Sequence, residues 1–267
     1  MKELKICIAG ATGWAGSALS KGIDKQFNMH LVSAISRKNK GKNLVALLGL
    51  TEGNIPVFEN VETALKIDCD VLVEYTKPTI AKKNILTAIS KGVNVVVGTS
   101  GLTEEDYQDI ENEALKNKVG VLAVGNFSIT AVLLQKFSEM AAKFIPNYEI
   151  IDYAHEDKID SPSGTARALA KSLSKVQKSN VFVPTEELIG IKESRGARLN
   201  DVQIHSVRLP GYVISIESIF GLKDEKLTLK HEAGSGADPY VQGALLAIEK
   251  VNTFTGLKRG LDSVMEF

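Results

Sequence analysis

The sequence predicts an α/β protein in which a doubly wound parallel sheet is joined to an α+β half, and three observations carry that reading. Up to about residue 126, short β-rich runs alternate with helical patterns, as βαβ units require. Beyond Asn126 the pattern changes: two helical patterns flank one strand-like run, and from Val202 three strand-like runs follow one another. The first strand-like run ends in a glycine series that opens a helix, the local arrangement of a Rossmann-type unit.

Taken in order, LKICIAG (4–10) reads as the first strand and is followed by a helix from about Ser17. HLVSAIS (30–36) is the second strand, with a helix around Val61–Lys66 after it. A strand at DVLVEYT (70–76), a helix from about Ile80 and a strand at VNVVVG (93–98) complete the alternation. The acid-rich Thr103–Lys118 reads as a helix whose Thr103 and Asp106 form a capping box, with Asp where Glu or Gln is usual. VGVLAVGN (119–126) is a further strand. In the second half, AVLLQKFSEMAAKF (131–144) is a helix that stops before Pro146, Tyr148–Asp157 alternates like a strand, and another helix follows Ser161–Thr165. Three strand-like runs, 202–209, 212–220 and 225–233, are separated by Pro210-Gly211 and by Gly221 with Lys223 and Asp224, so antiparallel pairing among them is expected. The last helix, 241–251, precedes a GLKRGLDSV tail, and the charged Pro184–Asn200 is the expected mobile loop.

At 267 residues, two domains are expected. Hydrophobic residues make up 44% and charged residues 24%, the composition of a globular protein. Lys plus Arg and Asp plus Glu both number 32, so no net field draws the chain towards nucleic acid or an anionic membrane. The N-terminus runs straight into the first strand without a separate leader, and no apolar run approaches the roughly 18 residues of a membrane span; a cytoplasmic protein is expected. Cys7 and Cys69 are too few for a disulfide framework or a cysteine zinc site and read as buried structural thiols.

Gly10, Ala11, Thr12, Gly13, Trp14, Ala15 and Gly16 form a GxxGxxG series between strand and helix, where backbone amides can approach a pyrophosphate at the positive end of the helix. An unliganded glycine turn is the alternative. At the end of the second strand, where an NAD-preferring site carries an acid, the chain has Ser36, Arg37 and Lys38. Arg37 can pair with a ribose 2′-phosphate while Ser36 donates a hydrogen bond, so NADPH is the expected cofactor, with NADH possible; a solvated basic loop is the alternative. Short-chain dehydrogenases are disfavoured because no Tyr has a Lys four positions later. Semialdehyde dehydrogenases are disfavoured because neither cysteine lies in a mid-chain loop.

In the second half, His155, Glu156, Asp157, Lys158, Ile159, Asp160, Ser161, Pro162, Ser163, Gly164 and Thr165 lead from a strand into a helix. The free amides around Gly164 and Thr165, the Thr165 hydroxyl and Lys158 form a seat for a carboxylate. Plain N-capping by Ser163 or Thr165, and a solvated Lys158, are the alternatives. His155, Glu156 and Asp157 make no metal site, because adjacent strand residues face opposite ways; no metal is expected. His205 and His231 read as sheet residues.

The 155–165 segment resembles the HHxxKxDxPSGT signature of the dihydrodipicolinate reductase family. Gly10–Gly16, Tyr75–Pro78, Gly98–Gly101, Gly125–Ser128 and His231–Ala233 are similar to further family motifs, in the family's order along nearly the whole chain. The resemblance implies a dinucleotide-binding domain built from 1–126 and 236–267 and a substrate and oligomerisation domain at 127–235, with a mixed, open sheet that assembles a homotetramer. It implies that Gly10–Ala15 wrap the pyrophosphate, that Arg37 binds the 2′-phosphate, and that Gly98, Thr99, Ser100, Gly125, Asn126 and Phe127 line the nicotinamide. It also implies that Lys158, Ser163, Gly164 and Thr165, with His155, hold a small dicarboxylate, 4-hydroxy-tetrahydrodipicolinate, for NAD(P)H-dependent reduction in lysine and diaminopimelate biosynthesis. Lys158 and His155 are the catalytic candidates. The family's first signature histidine aligns with Ala154, and Trp14 and Lys77 stand where the family has arginines. Ala154 leaves proton delivery to Lys158, His155 or water, or else points to a divergent member acting on another cyclic imine or unsaturated acid. A non-catalytic NADP-binding sensor is the third reading, and the retained Lys158 and PSGT segment argue against it.

Overall fold

The computed structural model describes residues 3–51 and 53–267. They fall into two compact units: one holds the described residues up to Ile129 together with Ala237–Phe267, the other Thr130–Gly236.

The first unit starts as strand and helix in turn: β1 (Leu4–Ala9), α1 (Trp14–Ile23), β2 (Met29–Ile35), α2 (Leu44–Leu48), β3 (Val57–Phe58), α3 (Val61–Ala64), β4 (Val71–Glu74), α4 (Pro78–Ser90), β5 (Asn94–Val97), α5 (Glu104–Asn117) and β6 (Gly120–Ala123). Every residue of β4 and β6 is buried, as strands covered on both faces by helices must be. Helix α1 begins three residues before Ser17, because Gly13 is extended at its N-cap and the turn closes at once. Helix α4 likewise starts at Pro78, whose fixed φ suits the first helical position. The Thr103–Asp106 capping box is present at the head of α5. Cys7 is fully buried and burial pushes its thiol up; Cys69 is partly buried and pushed up to about 12, so neither is a ready nucleophile.

The second unit comprises α6 (Ile129–Ala142), β7 (Tyr148–Ala154), α7 (Gly164–Val176), β8 (Ala197–Leu199), β9 (Val202–Arg208), β10 (Ile214–Leu222) and β11 (Glu225–Ala233). Its sheet is mixed, in the order β11-β10-β7-β9-β8. Strands β10 and β11 pair antiparallel as expected, but β9 and β10 do not pair at all. Strand β7 lies between them, parallel to β9 and antiparallel to β10. Pro210-Gly211 is therefore a passage across β7 and not a hairpin turn. In this order the buried acid Asp152 of β7 lies beside Arg208 of β9, so each charge is paired. The alternate residues Tyr148, Ile150, Asp152 and Ala154 of β7 are buried, and the core beneath them takes Leu169, Leu173 and Phe220.

The segment expected as a mobile loop contains β8 and two 3-10 turns, Thr185–Glu187 and Lys192–Arg195. Its charges are not merely solvated: Arg195 pairs with Glu149 of β7, whose other oxygen meets His205 Nε2 at 2.7 Å, and the Gln203 amide donates to the Arg195 carbonyl. His205 comes first among the causes, ahead of Arg195, that hold the Glu149 carboxyl down at about 2.

The chain then returns to the first unit through α8 (Asp238–Lys250) and β12 (Gly256–Arg259). Strand β12 lies parallel to β6 and completes a seven-stranded sheet, β12-β6-β5-β4-β1-β2-β3, parallel throughout. Helix α8 packs so closely on the backbone after β6 that a Cβ on Gly243 would lie 1.9 Å from the Phe127 carbonyl oxygen. Replacing Gly243 with Ala therefore forces helix and loop apart, and the unfolding free energy measured in urea should fall by about 1–3 kcal/mol. An unchanged midpoint would show that this contact yields without cost.

Candidate functional site

In the first unit the functional candidates stand at the carboxyl ends of the parallel strands. The chain winds one way from β1 to β2 and the other way from β1 to β4, so the sheet has its switch point beside β1, where open α/β sheets bind their ligands. Gly10 follows β1 with φ +87°. A Cβ there would come 2.3 Å from the Tyr75 carbonyl oxygen, and one on Gly16 would come 2.2 Å from the Gly10 carbonyl oxygen. Only glycine lets this turn close. Gly13 has no side chain to cap α1, Ala11 is buried beneath the turn, and Ala15 is half-buried in the first turn of the helix. The first amides of α1 are thus presented by a bare backbone, which is the cradle a pyrophosphate fits. Trp14 is exposed and sets its ring edge-on to Tyr240, 5.6 Å between centroids.

Thr12 and Ser36 meet across the mouth of this loop, their hydroxyl oxygens 2.9 Å apart. The Asn39 amide donates to both, at 3.3 and 3.4 Å. Arg37 and Lys38 are exposed on the adjoining 3-10 turn, and Lys40 is held by Glu59 at 2.8 Å. The sequence singled out Ser36 and Arg37 but not Asn39, whose only signal is its spacing of three from Ser36.

Gly98 follows β5, where a Cβ would collide with the Tyr75 ring at 2.1 Å and with Phe127 at 2.8 Å; those two rings pack edge to face. Thr99 is buried and hydrogen-bonds Glu74, which also accepts from Thr76 N at 2.8 Å and from Asn84 at 2.8 Å. Burial raises the Glu74 carboxyl against the pull of these donors. Ser100 and Gly125 are exposed, and Asn126 accepts from Ser128 N at 2.9 Å. Gly98 and Phe127 therefore gather around Tyr75, and Thr99 is tied to Glu74 beside them.

In the second unit, β7 ends at Ala154 and the chain reaches α7 through the 155–163 loop. Ser163 is the N-cap of α7, its Oγ accepting from Ala166 N at 3.2 Å. Gly164 N donates to Asp160 Oδ2 at 3.3 Å, and Lys158 Nζ lies 2.6 Å from Asp160 Oδ1. An ammonium and a helix-start amide thus converge on one carboxylate, and Lys158 comes first among the causes that hold the Asp160 carboxyl below its usual range. Thr165 is half-buried in the same helical turn. His155 points to Asp157, Nδ1 to Oδ1 2.8 Å, and both are largely exposed. Ala154 is buried. His231 is buried against Thr130 Oγ1 at 3.0 Å, and burial lowers its pKa. Among the described residues no cluster of His, Cys, Asp and Glu could hold a metal ion.

Beneath the loop lies a pair that sequence reasoning did not single out. Asp152 of β7 and Arg208 of β9 meet at 2.8 Å, both largely buried. Asp152 Oδ2 also accepts from Ser163 N at 2.7 Å, and Arg208 donates to the Asp160 carbonyl at 2.8 Å. The pair clamps both ends of the 160–163 segment. Its signal was an acid in the buried phase of an alternating strand.

A parallel sheet with a bare glycine-loop helix start at its switch point, joined to an α+β unit in which Lys158 and the Gly164 amide meet on the Asp160 carboxylate, is the arrangement of a two-unit oxidoreductase of the Rossmann class. The sequence model for the N-terminus of dihydrodipicolinate reductase matches residues 4–127, and that for its C-terminus matches residues 130–265. The chain belongs to the dihydrodipicolinate reductase family. It is 35% identical to the 4-hydroxy-tetrahydrodipicolinate reductases of Bacillus cytotoxicus and Bacillus mycoides, over 100% of this chain and 100% of each relative. Among solved structures, a dipicolinate-bound dihydrodipicolinate reductase from Paenisporosarcina sp. TG-14 is 30% identical, with TM-score 0.89 over 98% of this chain and 100% of that one. An amine dehydrogenase from Mycobacterium smegmatis, 14% identical with TM-score 0.68 over 99% and 97%, shares the fold.

Replacing Arg208 with Met leaves the Asp152 carboxylate buried and uncompensated, which costs about 3–5 kcal/mol. Thermal unfolding of the variant should come many degrees below that of the parent, with Arg208→Lys intermediate; equal melting temperatures would deny the clamp its role.

Proposed function

We propose that this protein reduces 4-hydroxy-tetrahydrodipicolinate to tetrahydrodipicolinate with NADPH, and more weakly with NADH, in lysine and diaminopimelate biosynthesis. The observation that carries the reading is the convergence of Lys158 and the Gly164 amide on a single carboxylate, within a KxDxPSGT segment of a full-length family member. The first unit is the dinucleotide-binding domain, with boundaries near 1–126 and 236–267, and the second, near 127–235, holds the substrate.

The bare amides of Gly10–Ala15 take the pyrophosphate, and Ser36 and Arg37 take the 2′-phosphate. Gly98, Thr99, Ser100, Gly125, Asn126 and Phe127 border the nicotinamide, which when bound supplies the hydride. Gly98 lets the Tyr75 and Phe127 rings close against its backbone, and Gly125 leaves open space after β6. Lys158, Ser163, Gly164 and Thr165 hold the dicarboxylate, with His155 beside them. Because the buried Ala154 offers no proton, proton delivery falls to Lys158, to His155 or to water. The same residue favours one second reading, a related cyclic imine or unsaturated acid as substrate.

We also propose a cytoplasmic homotetramer. Two free thiols suit a reducing compartment, and no helix among the described residues is long and apolar enough to cross a membrane. Phe182, Ile189 and Ile191 stand exposed on the loop of the second unit, an apolar set that another copy would cover.

NADPH oxidation, followed at its absorbance band with freshly generated substrate, tests the reaction. Lys158→Ala should lower kcat/KM by at least about 100-fold, about 2.7 kcal/mol of transition-state stabilisation. NADPH binding without turnover would move the assignment to another imine acid, and full activity in Lys158→Ala would overturn the role given to that residue. For the nucleotide, Arg37→Ala should raise the Kd for NADPH about 10-fold or more and leave NADH nearly unchanged; an equal loss with both would remove Arg37 from the 2′-phosphate.

A further inference from the structure

We infer that Asn39 sets the nucleotide preference of the first unit by keeping the polar cluster at the end of β2 a hydrogen-bond donor towards the ribose. The inference rests on the reading that the Gly10–Gly16 loop, Ser36 and Arg37 hold the phosphates of a dinucleotide, and it adds to them a neutral side chain that acts through Ser36.

Thr12 Oγ1 and Ser36 Oγ lie 2.9 Å apart, so one hydroxyl hydrogen is spent between them. Asn39 Nδ2 reaches both oxygens, at 3.3 and 3.4 Å, and fills acceptor sites on each. Which end of the amide faces the hydroxyls is fixed from the far side, where Lys42 Nζ donates to Asn39 Oδ1 at 3.3 Å. Two hydroxyls bring two hydrogens, and with one used between them and the amide nitrogen able only to donate, the other is left to donate outward. A phosphate oxygen accepts such a donor; a ribose hydroxyl gains more from a carboxylate, the group an NAD-preferring site places here.

A carboxylate at position 39 would reverse the polarity. It would accept from both hydroxyls, consume the outward hydrogen, and put negative charge beside Ser36 and within the reach of Arg37. Asn39 carries no charge of its own and acts through Thr12 and Ser36, so it is a positioning residue whose effect appears as a ratio between two nucleotides.

The test uses the full-length protein and titrates NADPH and NADH by their fluorescence on binding, in the parent, Asn39→Asp, Asn39→Ala and Arg37→Ala. Asn39→Asp should raise the Kd for NADPH about 10- to 100-fold while that for NADH stays level or falls, and Asn39→Ala should weaken NADPH alone by a smaller factor. Equal weakening of both nucleotides by Asn39→Asp, or no change in either, overturns the inference while leaving Arg37 its role. If Arg37→Ala binds NADPH as tightly as the parent, the 2′-phosphate reading of this turn is wrong and the inference falls with it. Should Asn39→Asp fail to fold, the NADPH-selective loss in Asn39→Ala decides alone.

Discussion

The first amides of an α-helix have no partner inside the helix, and both candidate sites are built on that constraint. The two helix starts meet it in opposite ways. At α1 no side chain caps the end: Gly13 offers none, and the turn before it is so tight that Gly10 and Gly16 admit no Cβ. At α7 acceptors are supplied from within the chain, Ser163 for Ala166 and Asp160 for Gly164. The bare end suits a large anion carrying several oxygens. The furnished end, where Lys158 adds a full positive charge, shows the geometry by which a single carboxylate is held.

A helix start is useful only if the chain leading into it is held still, and in the second unit that task falls to an ion pair. Asp152 and Arg208 sit on neighbouring parallel strands, and between them they bond the Ser163 amide and the Asp160 carbonyl. A buried pair of this kind is seldom the most stable choice, because desolvation offsets much of the attraction and an apolar pair can do as well. Apolar side chains would not, however, meet the amide and carbonyl that the loop turns inward. The same pair is made possible by a sheet order in which β9 joins β7 and not its sequence neighbour β10.

Much of this was legible in the sequence, wherever a pattern is repeated locally. The βαβ alternation, the capping box of α5 and the glycine loop all rest on residues within one turn or strand of each other, and they stand where their spacing put them. What escaped was either too short or too distant. β3 has two residues and α2 five, too few for a period to show. The β7–β9 pairing and the ordering of 184–200 depend on Arg208 finding Asp152 and Arg195 finding Glu149, partners tens of residues away. In the sites, Lys158, Gly164 and Arg37 announce themselves by type. Asn39, Asp152 and Asp160 act through geometry alone, and composition carries no trace of it.

The chain's overall neutrality sharpens what its few placed charges must do. Both ligands proposed for this protein are anions, and with equal numbers of acids and bases there is no general field to bring them in. Local cations and oriented amides must therefore hold them, and holding two like-charged reactants in reacting geometry is the larger part of such catalysis, with effective molarities of about 10⁵–10⁸ M for well-oriented groups. General acid help is worth less, about 10²–10⁴-fold. On that scale Ala154, buried where the resemblance places a histidine, removes the smaller contribution, and the larger one is what the proposed reading asks of Lys158 and the helix-start amides above the Asp152–Arg208 clamp.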